Sequence, residues 1–296
     1  LFSNNSDQVL IDCGLFQGLK NLRLQNWDSF PVDPKTIDAV VLTHAHIDHS
    51  GYIPRLFKEG FAGKVYCTEG TKALAEILLP DTGYLQEEEA EYLNRRKSSK
   101  HNPALPLFSR REAEKSLVHF ETRGFGDEFE PVPGVRCCFL YAGHILGAAT
   151  LVVRTGKRAI GFSGDVGRLS DPVFYPPASL PQLDYLVVES TYGNRLHPVS
   201  DPKMELGQII RDVAGRGGVV LIPAFTVGRA QTLLHFLAQL RRSGRIPDIP
   251  MYLNSPMATH VTDAFVKFRS LHKLSEAECG ELRKAVQYVE SAEESK

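Results

Sequence analysis

The sequence predicts an α/β protein built as two structural units, and three observations carry that expectation. Short β-branched runs alternate with stretches of helical periodicity through the first half of the chain, and a run of strands follows. After Tyr192-Gly193-Asn194 the pattern changes to alternating helices and strands, the order that implies a parallel sheet. At 296 residues the chain is long enough to bury more than one core.

In order, residues 9–12, 39–43 and 65–68 read as strands because they are short, β-branched and apolar. A helical stretch opens at 74–79 and continues through the acidic run Glu87-Glu88-Glu89 to the basic run Arg95-Arg96-Lys97. Residues 94–107, with Ser, Asn and Pro, read as an exposed excursion. Strands are expected at 135–141, 149–154, 159–163 and 183–189. Beyond them come helices at 201–211 and 227–242 and strands at 218–222 and 249–254. Residues 1–194 are therefore expected as one domain and 195–296 as a second, in which two strands cannot cover both faces of a parallel sheet. A fragment of a longer protein is the expectation, with opening strands also expected before Leu1; no signal peptide is seen, although a chain that opens at Leu1 rather than Met can lack a leader.

Composition narrows the function classes. A formal charge of −1 excludes a generally basic nucleic-acid coat, so a polyanionic substrate would have to be held by local cations. No apolar stretch approaches the roughly 18 residues of a membrane span. Five cysteines (Cys13, Cys67, Cys137, Cys138, Cys279) without CxxC spacing read as reduced, mostly buried thiols of a cytoplasmic protein.

His44-Ala45-His46-Ile47-Asp48-His49 is the most informative stretch. It follows the apolar run 40–43 and precedes a helical pattern, so it lies on a loop between strand and helix. His44 and His46, two apart on extended backbone, point the same way. Imidazole nitrogen and carboxylate oxygen are zinc ligands, and four of them in six residues suggest two neighbouring ions. His144 (in Tyr141-Ala142-Gly143-His144) and Asp165 (in Phe162-Ser163-Gly164-Asp165) each end an apolar strand. Alone they read as a structural histidine and a turn aspartate. Beside the first motif they read as further ligands, with a carboxylate able to bridge.

HxHxDH followed by Gly-His and Ser-Gly-Asp resembles the motif series of the metallo-β-lactamase superfamily. Val188-Glu189-Ser190-Thr191-Tyr192-Gly193, Pro-Ala-Phe-Thr-Val-Gly-Arg-Ala-Gln at 223–231 and Asn-Ser-Pro-Met-Ala at 254–258 resemble its β-CASP branch of nucleic-acid-processing nucleases. The resemblance implies an αββα sandwich with an inserted, here incomplete, β-CASP parallel α/β domain. It places His44, His46 and His144 on one metal and Asp48 and His49 on the second, with Asp165 bridging. Two Zn2+ ions are implied, Mn2+ being the alternative. Asp12 matches an outer carboxylate that orients ligands, although by itself it reads equally as an acid capping a turn. Glu189 matches the branch's acidic motif, which in relatives lies by the metals and pairs with a histidine of the second domain. A further histidine ligand and a further histidine motif of the family are not found, and both are expected beyond Lys296. Of the remaining histidines, His101, His119, His197, His235, His260 and His272 read as surface or core residues.

The implied activity is hydrolysis of RNA phosphodiester bonds by a hydroxide activated between two metals, with substrate between the domains and full activity not expected of this stretch alone. RNA is favoured over DNA because Glu189 starts a Glu-Ser-Thr-Tyr-Gly-Asn run resembling the RNA-processing members. Arg229, at the first turn of a helix, opposes the helix dipole; it either holds substrate phosphate or is a solvated arginine. Ser255 is a weaker candidate of the same kind. A small-ester or thioester hydrolase and a non-catalytic RNA-binding scaffold are the competing readings. RNA is the expected partner, no membrane is expected, and a homodimer is admitted.

Overall fold

The computed structural model describes residues 1–4, 7–196 and 200–289. His197 and the polar tail 290–296 lie outside these residues. The chain divides into two compact units, Leu1–Arg168 with Pro176–Glu189, and Leu169–Tyr175 with Ser190–Lys296.

The first unit begins with β1 (Phe2–Asn4) and β2 (Asp7–Ile11), followed by α1 (Lys20–Leu24). Next come β3 (Ala39–Val41), α2 (Ile47–Ser50), α3 (Ile53–Lys58), β4 (Lys64–Cys67), the long α4 (Glu69–Arg96), α5 (Arg110–Leu117) and β5 (Phe120–Thr122). These strands form one sheet in the order β1-β2-β3-β4-β5, parallel except for the antiparallel β1–β2 pair. A second sheet holds β6 (Glu128–Val132), β7 (Val135–Tyr141), β8 (Ala149–Thr155), β9 (Arg158–Phe162) and β10 (Tyr185–Val187), in the order β10-β9-β8-β7-β6. Its β6–β9 part is antiparallel, and β10 joins β9 in parallel.

Alternation along β7 explains how the sheets meet. Val135, Cys137 and Phe139 are buried, whereas Arg136 is exposed. The buried face packs with Leu151 and Val153 of β8 against Val9, Ala39 and Val41 of the first sheet, giving one core between the sheets. These facing sheets are the ββ centre of the expected sandwich.

Helix α4 begins earlier than the periodicity suggested, at Glu69, and ends at Arg96 within the expected basic run. Thr68 caps it by accepting from the Thr71 N–H, and Thr68 and Thr71 hydroxyls both donate to the Gly147 carbonyl, at 2.6 and 3.0 Å. Elements absent from the sequence expectation include α5, β5 and β6 in this unit, of which α5 is marked by a capping box of Ser109 and Glu112.

The second unit contains α6 (Pro202–Gly215), α7 (Arg229–Arg242), β11 (Tyr252–Asn254), α8 (Pro256–Lys267), α9 (Glu276–Lys284) and β12 (Gln287–Val289). Ile210, Leu237, Leu240 and Ile246 form a core between α6 and α7. One expectation is corrected here. Residues 218–222 are not a strand, and Val219 and Leu221 are more than nine-tenths exposed. An apolar extended run becomes a strand only when a neighbouring ladder takes up its backbone donors and acceptors, and no described strand pairs with it. The parallel partner of β11 is instead β12, in register Leu253 to Tyr288.

Four cysteines are buried, Cys138 is half-buried, and all five are free thiols. Among the described residues, no helix is long and apolar enough to cross a membrane.

Candidate metal centre

The charged and imidazole side chains singled out in the first unit all follow strand ends. Asp12 follows β2, His44 and His46 follow β3, and Asp48 and His49 sit on α2. His144 follows β7, Asp165 follows β9 and Glu189 follows β10. Parallel pairing of β2 with β3 and of β9 with β10 brings these ends together.

His44, His46, His144 and Asp165 each place a ligand atom so that all four lie within 4.8 Å of one another. His144 Nε2 is 3.1 Å from His46 Nδ1. Asp165 Oδ2 lies 3.3 Å from His144 Nε2 and 3.7 Å from His44 Nε2. The other oxygen, Oδ1, lies 3.3 Å from His49 Nε2, whose own distance to Asp48 Oδ2 is 4.0 Å. One carboxylate thus faces a three-histidine group with one oxygen and His49 with the other.

An outer layer holds the imidazoles. Asp12 Oδ1 accepts from the Thr43 N–H at 2.7 Å, and Oδ2 accepts from the Thr43 hydroxyl and from His49 Nδ1, both at 2.8 Å. Thr43 Oγ1 lies 3.1 Å from His44 Nδ1. Its proton is committed to Asp12, so it accepts from His44 Nδ1–H. His44 then carries its proton on Nδ1 and turns an Nε2 lone pair toward Asp165. His49 donates from Nδ1 to Asp12 and from Nε2 to Asp165, and its Nε2 proton is the one a ligated cation would displace. Asp12 holds this position at φ 55°, a left-handed conformation that aspartate adopts more readily than most residues.

The loops carrying His144 and Asp165 touch directly. Gly167 donates its N–H to the Ala142 carbonyl, and a Cβ on Gly167 would stand 1.9 Å from the Gly143 oxygen, so only glycine fits. Glu189 is held through its backbone N–H, which donates to Ser163 Oγ at 2.9 Å, and its Oε1 is 3.5 Å from the Val166 nitrogen. Thr43 and Ser163 are positioning residues that the sequence reading passed over. Only their adjacency to His44 and to the Gly164-Asp165 pair could have flagged them.

Electrostatics sort the imidazoles. Burial pushes His44 well below the ordinary histidine range, and the surrounding imidazoles add to that. Burial also brings His46 down to about 4 and lowers His144. Burial opposes a charge on His49 as well, but hydrogen bonds to Asp12 and Asp165 outweigh it and raise the group to about 10. For Asp165, burial is outweighed by the His49 hydrogen bond and the neighbouring imidazoles, which hold its carboxyl below the usual range. Three lone-pair imidazoles around an ionised carboxylate form a donor set for a divalent cation. His44 Nε2 supplies the test of fit: it is buried without a hydrogen-bond partner, a cost that a ligated cation would remove.

The residues proposed from sequence in the second unit lie in the following local settings. Ser255 is the N-cap of α8, its Oγ accepting from the Ala258 N–H at 3.2 Å. Arg229 is exposed at the first position of α7, after Gly228. His235 bonds to Gln239, His272 is buried, and His119 packs its ring on Phe57. His101 and His260 are exposed.

Comparison with known proteins agrees with this geometry. The model of the Metallo-beta-lactamase superfamily matches residues 1–134, and that of the Beta-Casp domain matches residues 230–296. Ribonuclease TTHA0252 of Thermus thermophilus is 37% identical over 259 residues, which cover 87% of this chain and 55% of that protein. Transcription termination factor FttA of Methanosarcina mazei is 32% identical over 287 residues, 93% of this chain and 43% of that protein. FttA of Methanothermobacter thermautotrophicus is 33% identical over 261 residues, covering 84% and 38%. The chain therefore spans about half the length, or less, of these curated relatives.

Proposed function

Because this chain belongs to the metallo-beta-lactamase superfamily and to its β-CASP branch, we propose that it acts as a zinc-dependent ribonuclease in RNA processing or decay. Residues 1–194 are assigned to the metallo-β-lactamase domain and 195–296 to part of the β-CASP domain. The observation that carries the reading is the position of Asp165, with one oxygen toward His44 and His144 and the other toward His49. The 37% identity to a protein named a ribonuclease supports RNA as the polymer.

His44, His46, His144 and Asp165 would hold one ion, and Asp48, His49 and Asp165 a second; zinc suits these nitrogen and oxygen donors, with Mn2+ as the alternative. When bound, two such ions polarise phosphate oxygens and acidify water at neutral pH. The chain's own residues do the rest. Asp12 and Thr43 keep a proton on Nδ1 of His44 and of His49, so that Nε2 is the nitrogen each offers to a cation. Glu189, tethered by Ser163, would pair with a histidine, not among those assigned in this chain, that protonates the leaving oxygen. Arg229 and Ser255 contact substrate phosphate. Free thiols accord with a reducing, cytoplasmic setting.

The test uses end-labelled RNA and DNA of one sequence, incubated with the full reading frame that contains this chain and with its His46→Ala variant, with and without chelator. Cleavage of RNA that disappears in the variant and with chelator supports the reading. Turnover of small thioesters without cleavage of either polymer would replace it.

A further inference from the structure

The loop between β2 and β3 carries a second feature of the first unit that the metal centre does not use. Asn26 is buried, 7% exposed, and spends its side-chain amide on the backbone of a single residue. Its Oδ1 accepts from the Phe16 N–H at 2.8 Å and its Nδ2 donates to the Phe16 carbonyl at 2.9 Å. The same loop is fixed to the metal-binding helix: Cys13 N–H donates to the His49 carbonyl and Leu15 N–H to the Ile47 carbonyl, at 2.7 and 2.9 Å. A Cβ on Gly14 would lie 1.6 Å from the Asp48 oxygen, so the two backbones meet there. Phe16 is thus one residue beyond a direct bond to α2, on backbone clamped from both sides.

This rigid backbone displays rings to solvent. Phe16 and Trp27, the residue after the clamp, are each 51% exposed, although large aromatic side chains are normally placed where they bury area. Between them lie the exposed cations Lys20 and Arg23, and residues 13–27 contain no acidic side chain. Exposed aromatic faces interleaved with positive charge, on backbone that need not be ordered on binding, suit an unpaired nucleic-acid strand. The rings stack on bases of any sequence, and the cations follow the phosphates.

We propose that Phe16 and Trp27 form a stacking platform for unpaired bases of the RNA strand entering the metal centre. The proposal rests on the ribonuclease reading and extends it to substrate positioning: the platform selects single strands without reading their sequence.

Trp27 is the only tryptophan of the chain, so its fluorescence reports on this platform alone. The native chain with chelator and the His46→Ala variant would be titrated with a labelled single-stranded RNA and with an abasic sugar-phosphate strand of equal length. Anisotropy of the label gives binding, and tryptophan emission gives stacking. Saturable quenching by the RNA but not by the abasic strand is expected. Phe16→Ala should weaken RNA binding about 5- to 100-fold, while Phe16→Tyr, which keeps the ring, should bind like the native chain. RNA binding with unchanged emission, or with equal affinity in Phe16→Ala, overturns the platform and leaves the ribonuclease reading standing. Equal quenching by the abasic strand also overturns it. Absence of RNA binding in both proteins would remove the ribonuclease reading, and the platform with it.

Discussion

Asp12 Oδ2 accepts a hydrogen bond from His49 Nδ1 across 2.8 Å, joining the end of β2 to α2 over 37 residues of chain. The same oxygen takes the Thr43 hydroxyl proton, and Thr43 Oγ1 in turn faces His44 Nδ1. One carboxylate therefore orients two imidazoles that face different oxygens of Asp165. Removing its charge at nearly constant shape should loosen both. Asp12→Asn is expected to lower metal affinity about 10- to 100-fold, measured by competition with a chromophoric chelator. Native affinity in this variant would mean that His44 and His49 are held by packing alone.

Thr43 separates the two arms of that arrangement. Thr43→Val keeps the shape and removes the hydroxyl, leaving the buried His44 Nδ1 without its acceptor. We expect loss of about 1–3 kcal/mol of stability together with weaker metal binding, while Thr43→Ser retains both. Thermal unfolding and metal titration of the three proteins would show it; equivalence of the valine and serine variants would contradict the relay.

Gly167→Ala tests the contact between the loops that carry His144 and Asp165. The added Cβ meets a backbone oxygen at 1.9 Å, so the loops must separate. A stability loss of about 1–3 kcal/mol is expected from overpacking, accompanied by a fall in metal affinity because His144 and Asp165 move apart. Unfolding in denaturant gives the first and metal titration the second; a variant with only one of the two losses would show that loop contact and ligand placement are independent.

His272 provides a pH dependence away from the metal centre. It is 1% exposed, its Nε2 lies 2.9 Å from the Phe265 carbonyl, and its Nδ1 accepts from the Leu274 N–H at 3.2 Å. Both ring nitrogens are thus committed as in the neutral form. Burial lowers its pKa, only partly offset by the Phe265 bond. Between that lowered value and the ordinary 6.5, the unfolded chain binds more protons than the folded one, so stability falls as pH drops below about 6.5. Unfolding of the native chain and of His272→Asn at pH 7.5 and 5.5 should show a smaller pH effect in the variant. An equal effect would assign the acid lability to other groups.

The sequence by itself determined what is local. His44, His46, Asp48 and His49 are close in space because they share one loop and one turn of helix, so their spacing could be read directly. Residues 135–141 likewise read as a strand from their apolar, β-branched composition, although which face they bury came from the structure. Tertiary structure decided whatever depends on a distant partner. Residues 218–222 have the composition of a strand but no ladder, and composition carries no information about a neighbour. His144 lies 98 residues from His46, and only the meeting of strand ends from two sheets turns a histidine after a strand into a neighbour of the first motif. Thr43 and Asn26 are unremarkable polar residues in the sequence. Their roles appear only where folding excludes water and leaves each hydroxyl or amide a single set of partners, at Asp12 and His44 in one case and at the Phe16 backbone in the other.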